Sequence, residues 1–101
     1  MDSAVKRVEV LFIEGCPSLH ETIARIRSAA SALDVSIELV ETEVTMDAIA
    51  DGFCGSPTVL VNGMDLEKDA HPVESLCCRT YHTESGVQGA PPLDLITRAL
   101  R

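Results

Sequence analysis

Four cysteines in 101 residues are the groups best suited to chemistry in this chain. Cys16 stands in Phe12-Ile-Glu-Gly-Cys-Pro-Ser-Leu-His-Glu21, between a glycine and a proline, where an apolar run stops and a helical pattern starts. The unpaired N–H groups and macrodipole of a helix N-terminus favour negative charge, and a thiolate is such a charge. Free cysteine titrates near ~8.5, and this position lowers that value. Two registers compete. Pro17 at the first helical position would make Cys16 the N-cap. Ser18 with Glu21 three residues on instead matches a capping box and would set Cys16 two residues before the helix. Glu14 and Glu21 oppose ionisation in either case, so the expected thiol is only modestly activated. The plainer alternative is a small buried hydrophobe.

Cys77-Cys78 poses a different problem. On a strand, neighbouring side chains point to opposite faces, so the two do not easily grip one ion. No pair among the four cysteines has the usual ligand spacing of a zinc or iron–sulfur site. Soft thiolates nonetheless suit soft metals such as mercury or copper(I). His71 and His82 are candidate assistants there, although each is also readable as an ordinary loop or edge residue.

The elements that must position these groups follow from local pattern. Val8-Glu-Val-Leu-Phe-Ile13 is a β-branched and aromatic run broken by Gly15 and Pro17, a buried strand. Leu19, Ile23, Ile26, Ala30 and Leu33 recur at helical spacing and predict an amphipathic helix ending near Asp34. Ser36-Ile-Glu-Leu-Val-Glu-Thr42 alternates as a strand with one wet face. Residues 45–51 predict a short helix that Gly52 caps. Thr58-Val-Leu-Val61 is a second buried strand, and Asn62-Gly63 after it is a strong hairpin signal. Residues 64–76 read as an irregular charged loop and 77–83 as a returning strand. Gly89-Ala-Pro-Pro92 then precedes a last helix lined by Leu93, Ile96, Ala99 and Leu100. The order is β-α-β-α-β-β-α in a single domain spanning 1–101: an α/β fold with a mixed four-stranded sheet and helices on both faces.

Bulk properties narrow the partners. Sixteen acidic against eight basic side chains leave a formal charge of −8, which repels phosphate backbones and anionic lipid. Neither nucleic acid nor a membrane is therefore an expected partner. Hydrophobic residues make up 46% of the chain with three aromatics and no Trp, so the core is expected to be aliphatic. No signal-peptide h-region precedes the first strand pattern, which leads to the expectation of a cytoplasmic protein with reduced cysteines.

Three pieces together resemble the thioredoxin-like superfamily: Phe12-Ile-Glu-Gly-Cys-Pro17, Gly55-Ser-Pro-Thr-Val-Leu-Val-Asn-Gly63, and Gly89-Ala-Pro-Pro-Leu-Asp-Leu-Ile96. The resemblance covers nearly the whole chain in order and spacing. It implies that Cys16 is the nucleophile and that Pro57, preceded by Ser56, is a cis-proline lying against it. Ser56 and Pro17 then border the substrate groove. The series Cys16-Pro17-Ser18-Leu19 departs from Cys-X-X-Cys, because Leu19 stands where the resolving cysteine belongs. The implied chemistry is a one-thiol cycle through a mixed disulfide. Cys54, on the loop that the resemblance sets opposite Cys16, is the candidate resolving thiol, with a small buried residue as its plainer alternative. His20, one turn along the helix, reads as a surface residue. A shorter likeness, Ser75-Leu-Cys-Cys-Arg-Thr-Tyr-His82, is similar to the cysteine-pair segment of organomercurial lyases.

Three functional readings follow. The first is thiol–disulfide redox chemistry through Cys16, with a protein or low-molecular-weight disulfide as partner and no cofactor. The second is soft-metal or organomercurial binding, of Hg or Cu(I), through Cys77 and Cys78. The third is a non-catalytic module whose cysteines only fill the core. An edge formed by Thr80 to His82 could also pair with another chain.

Overall fold

A computed structural model describes residues 5–49, 52–83 and 86–101. Strand β1 (Lys6–Phe12) runs parallel to β2 (Ile37–Glu43), and helix α1 (Leu19–Leu33) connects them. β3 (Thr58–Val61) lies antiparallel to β1, and β4 (Met64–Asp65) turns back on β3. The resulting mixed sheet has the order β2-β1-β3-β4. A separate two-stranded ribbon joins β5 (Tyr81–Thr83) to β6 (Gly86–Gln88), and α2 (Leu93–Leu100) follows.

Alternation along the strands gives each sheet face its own core. Val8, Val10, Val59 and Val61 share one face with Ile26, Ala29 and Ala30 of α1 and Ile96 and Leu100 of α2. Both helices therefore cover the same face. Leu11 and Leu60 point the other way and pack with Val44, Phe53, Ile13, Ile49 and Val73. The expectation of helices on both faces is thus corrected. Residues 45–49 form a single turn, with the Ala48 N–H donating to the Thr45 carbonyl at 3.0 Å and a bridge joining the same two residues. Ala50 and Asp51, the end of the expected helix, lie outside the described residues. So short a segment, opening on a β-branched residue, does not offset the cost of helix nucleation, and buried Val44 and Ile49 tether it as loop.

The Asn62-Gly63 turn forms as expected. Both residues take positive φ, 52° and 85°, the pattern of a type I′ hairpin. Asn62 also ties that turn to β1: its Oδ1 accepts from the Arg7 N–H at 2.9 Å, and its own N–H donates to the Arg7 carbonyl at 2.7 Å. The strand expected over 77–83 forms only at Tyr81–Thr83. It pairs with β6 on one edge rather than with the main sheet, because the two-residue β4 takes the sheet edge directly after the turn.

Candidate active site around Cys16

β1 ends at Phe12, and the chain then makes a tight turn in which the Cys16 N–H donates to the Ile13 carbonyl at 3.1 Å. Gly15 sits at the third turn position with φ 77°, which a side chain would resist. This turn fixes Cys16 immediately beyond the sheet, half-buried, with exposed Pro17 after it. The helix N-cap is Ser18, so the second of the two registers applies. Its capping box does not close: Ser18 makes no side-chain cap bond, and Glu21 pairs with Arg25 instead. The Cys16 carbonyl accepts from the Leu19 N–H at 3.4 Å, and Cys16 stands two residues before the N-cap rather than capping the helix itself.

Ser56 joins this turn to the rest of the site. Its hydroxyl accepts from the Ile13 N–H at 3.1 Å, and the Ser56–Pro57 peptide is cis. On its other side Ser56 forms a parallel bridge with Cys78: its N–H donates to the Cys77 carbonyl at 2.8 Å, and its carbonyl accepts from the Arg79 N–H at 2.9 Å. The cysteine pair, which a regular hairpin would leave at the far end of the sheet, is thereby returned to the Cys16 end. Cys77 is half-buried and Cys78 exposed, as the opposed directions of neighbours in an extended segment require.

Arg79 is the residue that holds this return, and sequence reading missed it. It is only 7% exposed, and its guanidinium makes two hydrogen bonds to Asp65 at 2.7 and 2.8 Å and one to Glu67 at 2.9 Å. It also lies 4.6 Å over the Tyr81 ring. Burial alone works against its charge, but the hydrogen bonds it donates to Asp65 and Glu67 more than offset this and hold it protonated. Tyr81 is fully buried and donates its hydroxyl to the Pro57 carbonyl at 2.7 Å. Gly55 completes the fit with φ 105°, because a Cβ there would stand 2.9 Å from the Arg79 Cβ. The one trace of this cluster in the sequence is an arginine two residues before the lone tyrosine, which puts both on one side of an extended segment.

Cys54 is held differently from Cys16. Its N–H donates to the Thr58 hydroxyl at 2.9 Å, and its thiol reaches the Gly52 carbonyl at 3.2 Å. Burial and the nearby Asp65 carboxylate raise its pKa above the ordinary cysteine value, partly countered by Arg79. All four thiols are free. Among the described residues no group of three or more His, Cys, Asp or Glu side chains is arranged to hold a metal ion. His20, His71 and His82 are exposed. A groove of about 700 Å³ between the helices and the ribbon, lined by Arg25, Gln88, Leu93 and Arg98 among others, carries no cysteine.

A family model described as Domain of unknown function (DUF2703) matches residues 13–100. The chain belongs to that family. No curated protein and no solved structure matches it. The part that matches the DUF2703 model opens at Ile13, whose backbone N–H and carbonyl hold Ser56 and Cys16, and it contains all four cysteines. No described helix of the DUF2703 chain is long and apolar enough to cross a membrane.

Proposed function

We propose that this DUF2703 chain is a thioredoxin-like, one-thiol protein of the cytoplasm whose Cys16 exchanges with disulfides. The observation that carries this reading is the pair of backbone bonds at Ile13. Its carbonyl accepts from Cys16 and its N–H donates to Ser56, so the strand end that presents the thiol also borders the Ser56–Pro57 loop. The parallel β1-α1-β2 unit, the antiparallel β3-β4 hairpin and the closing α2 support the thioredoxin-like layout. Cys16 attacks a disulfide sulfur, forms a mixed disulfide and releases the other half as a thiolate. Exposed Pro17 borders the approaching chain, whereas Ser56, only 2% exposed, braces the loop behind it instead of lining the groove that the resemblance implies. The partner is a protein or low-molecular-weight disulfide.

The test is alkylation. With iodoacetamide at pH 7, Cys16 is expected to react faster than free cysteine, and Cys16→Ser to lose that fast phase. An unchanged rate in the variant contradicts the reading.

The exposure of Cys78 beside Ser56 favours a second reading, in which Cys77 and Cys78 take a soft ion such as Hg²⁺. That reading expects submicromolar Hg²⁺ binding that disappears in a Cys77→Ser, Cys78→Ser double variant.

A further inference from the structure

The one-thiol cycle leaves open which thiol releases the product from Cys16. We infer that Cys78, and not Cys54, is the resolving partner, so that this chain assembles a two-cysteine centre from residues on opposite sides of Ser56. This inference rests on the redox reading of Cys16.

Three observations converge on Cys78. Ser56 is shared: its hydroxyl accepts from the Ile13 N–H at the foot of the Cys16 turn, while its backbone bridges Cys78. The chain after Cys78 then closes on the same turn from the other side. It runs through the β5-β6 ribbon to Gly89, where the Ser18 hydroxyl fills the space that a Cβ would need, at 2.5 Å. Gln88 and the Pro91 carbonyl, either side of it, accept from Arg25 of α1 at 3.3 and 2.8 Å. The segment carrying Cys78 is thus tied to both ends of the stretch containing Cys16. Third, the neighbouring Arg79 is anchored on Asp65 and Glu67, which holds the backbone at Cys78 in place while its side chain stays exposed.

Cys54 lacks these features. Its sulfur is engaged with the Gly52 carbonyl, and Asp65 and Glu67 face it with negative charge, which favours the protonated form. A protonated thiol is a poor attacker, since exchange proceeds through the thiolate. Cys77 uses its carbonyl on Ser56 and is half-buried, on the opposite side of its strand segment from Cys78.

The electrons balance in two exchanges. The Cys16 thiolate attacks a disulfide RS–SR′, the S–S bond breaks, R′S⁻ leaves and Cys16–S–SR forms. The Cys78 thiolate then attacks the Cys16 sulfur, RS⁻ leaves, and a Cys16–Cys78 disulfide forms. Two protein thiols are oxidised and one disulfide is reduced; the protons released by Cys16 and Cys78 pass through water to the departing thiolates. Two equivalents of a low-molecular-weight thiol reset the protein.

The probe is hydroxyethyl disulfide added to the fully reduced chain, followed by acid quench, blocking of free thiols and non-reducing tryptic mapping. Trypsin separates Cys16 (peptide 8–25), Cys54 (28–68) and the Cys77-Cys78 pair (69–79). The expected product links 8–25 to 69–79. Cys78→Ser is expected to abolish the link and leave a stable hydroxyethylthio adduct on Cys16, while Cys77→Ser and Cys54→Ser retain the link. An adduct that stays on Cys16 in the parent overturns the inference and leaves the redox reading standing. A link from 8–25 to 28–68, or one retained in Cys78→Ser, also overturns it. No adduct and no link at Cys16 overturns both.

Discussion

The helix-covered face of the sheet and the segment from Asp65 to Tyr81 are held by different forces. On the first, nine buried aliphatic side chains interdigitate and no single one dominates. On the second, one buried guanidinium gathers two carboxylates and an aromatic ring, and with them the return of the cysteine pair to Ser56. Apolar packing degrades in steps, atom by atom. A charge cluster with a buried centre fails at once, because losing Arg79 leaves Asp65 unpaired with little access to water, although Glu67 keeps an exposed side. The fold therefore rests on the first region, and the geometry of the proposed site on the second.

The largest effect is expected from Arg79→Met. It leaves Asp65 and Glu67 unpaired beside Tyr81 and costs about 3–5 kcal/mol in urea denaturation. Replacing Asp65, Glu67 and Arg79 together by apolar residues of similar volume should recover most of that loss, which Arg79→Met alone cannot. If the single variant is as stable as the parent, the contrast between the two regions collapses. Ile26→Ala, on the helix face, is expected to cost about 3 kcal/mol through lost contacts and a cavity. It should leave the Cys16 alkylation rate unchanged, whereas Arg79→Met should slow alkylation of Cys54, whose thiolate loses a nearby cation that favours it. Tyr81→Phe removes the hydroxyl that serves the Pro57 carbonyl and should cost about 1–2 kcal/mol.

The pH dependence should be gentlest of all. Burial raises both the Cys54 thiol and the Tyr81 phenol, so the folded chain holds these two protons more tightly than the unfolded chain does. Their contribution is present in full below cysteine's ordinary value of ~8.5 and is lost as pH rises through the folded values. Denaturation midpoints measured from pH 8 to 11 should fall steadily, and less steeply in a Cys54→Ser variant. A rise over that range would contradict the assigned direction.

What could be read in advance tracks how local each determinant is. α1 runs from Leu19 to Leu33, where the apolar spacing predicts it, and Asp34 ends it with φ 56°. β3, the Asn62-Gly63 turn and α2 are likewise local patterns with their own punctuation. The expected helix over 45–51 failed because a single turn has too few internal bonds to hold itself, and tertiary tethers at Val44 and Ile49 decide its shape. Arg79 was invisible for a different reason. Its partners lie 12 and 14 residues away across a stretch with no periodicity, so nothing in the spacing links them. Cys16 stood out by its neighbours, but its exact relation to the helix did not: Ser18 and Glu21 have the right types for a box, and Arg25 takes Glu21 away.

One measurement decides whether Cys16 is the sulfur that meets a disulfide. The reduced, folded chain is mixed in stopped flow with a chromogenic aromatic disulfide at pH 7, and the released aromatic thiolate is followed by absorbance. The parent should show a fast phase that Cys16→Ser loses and Cys54→Ser keeps. A fast phase of unchanged rate and amplitude in Cys16→Ser would place the chemistry on another cysteine and contradict the role assigned to Cys16.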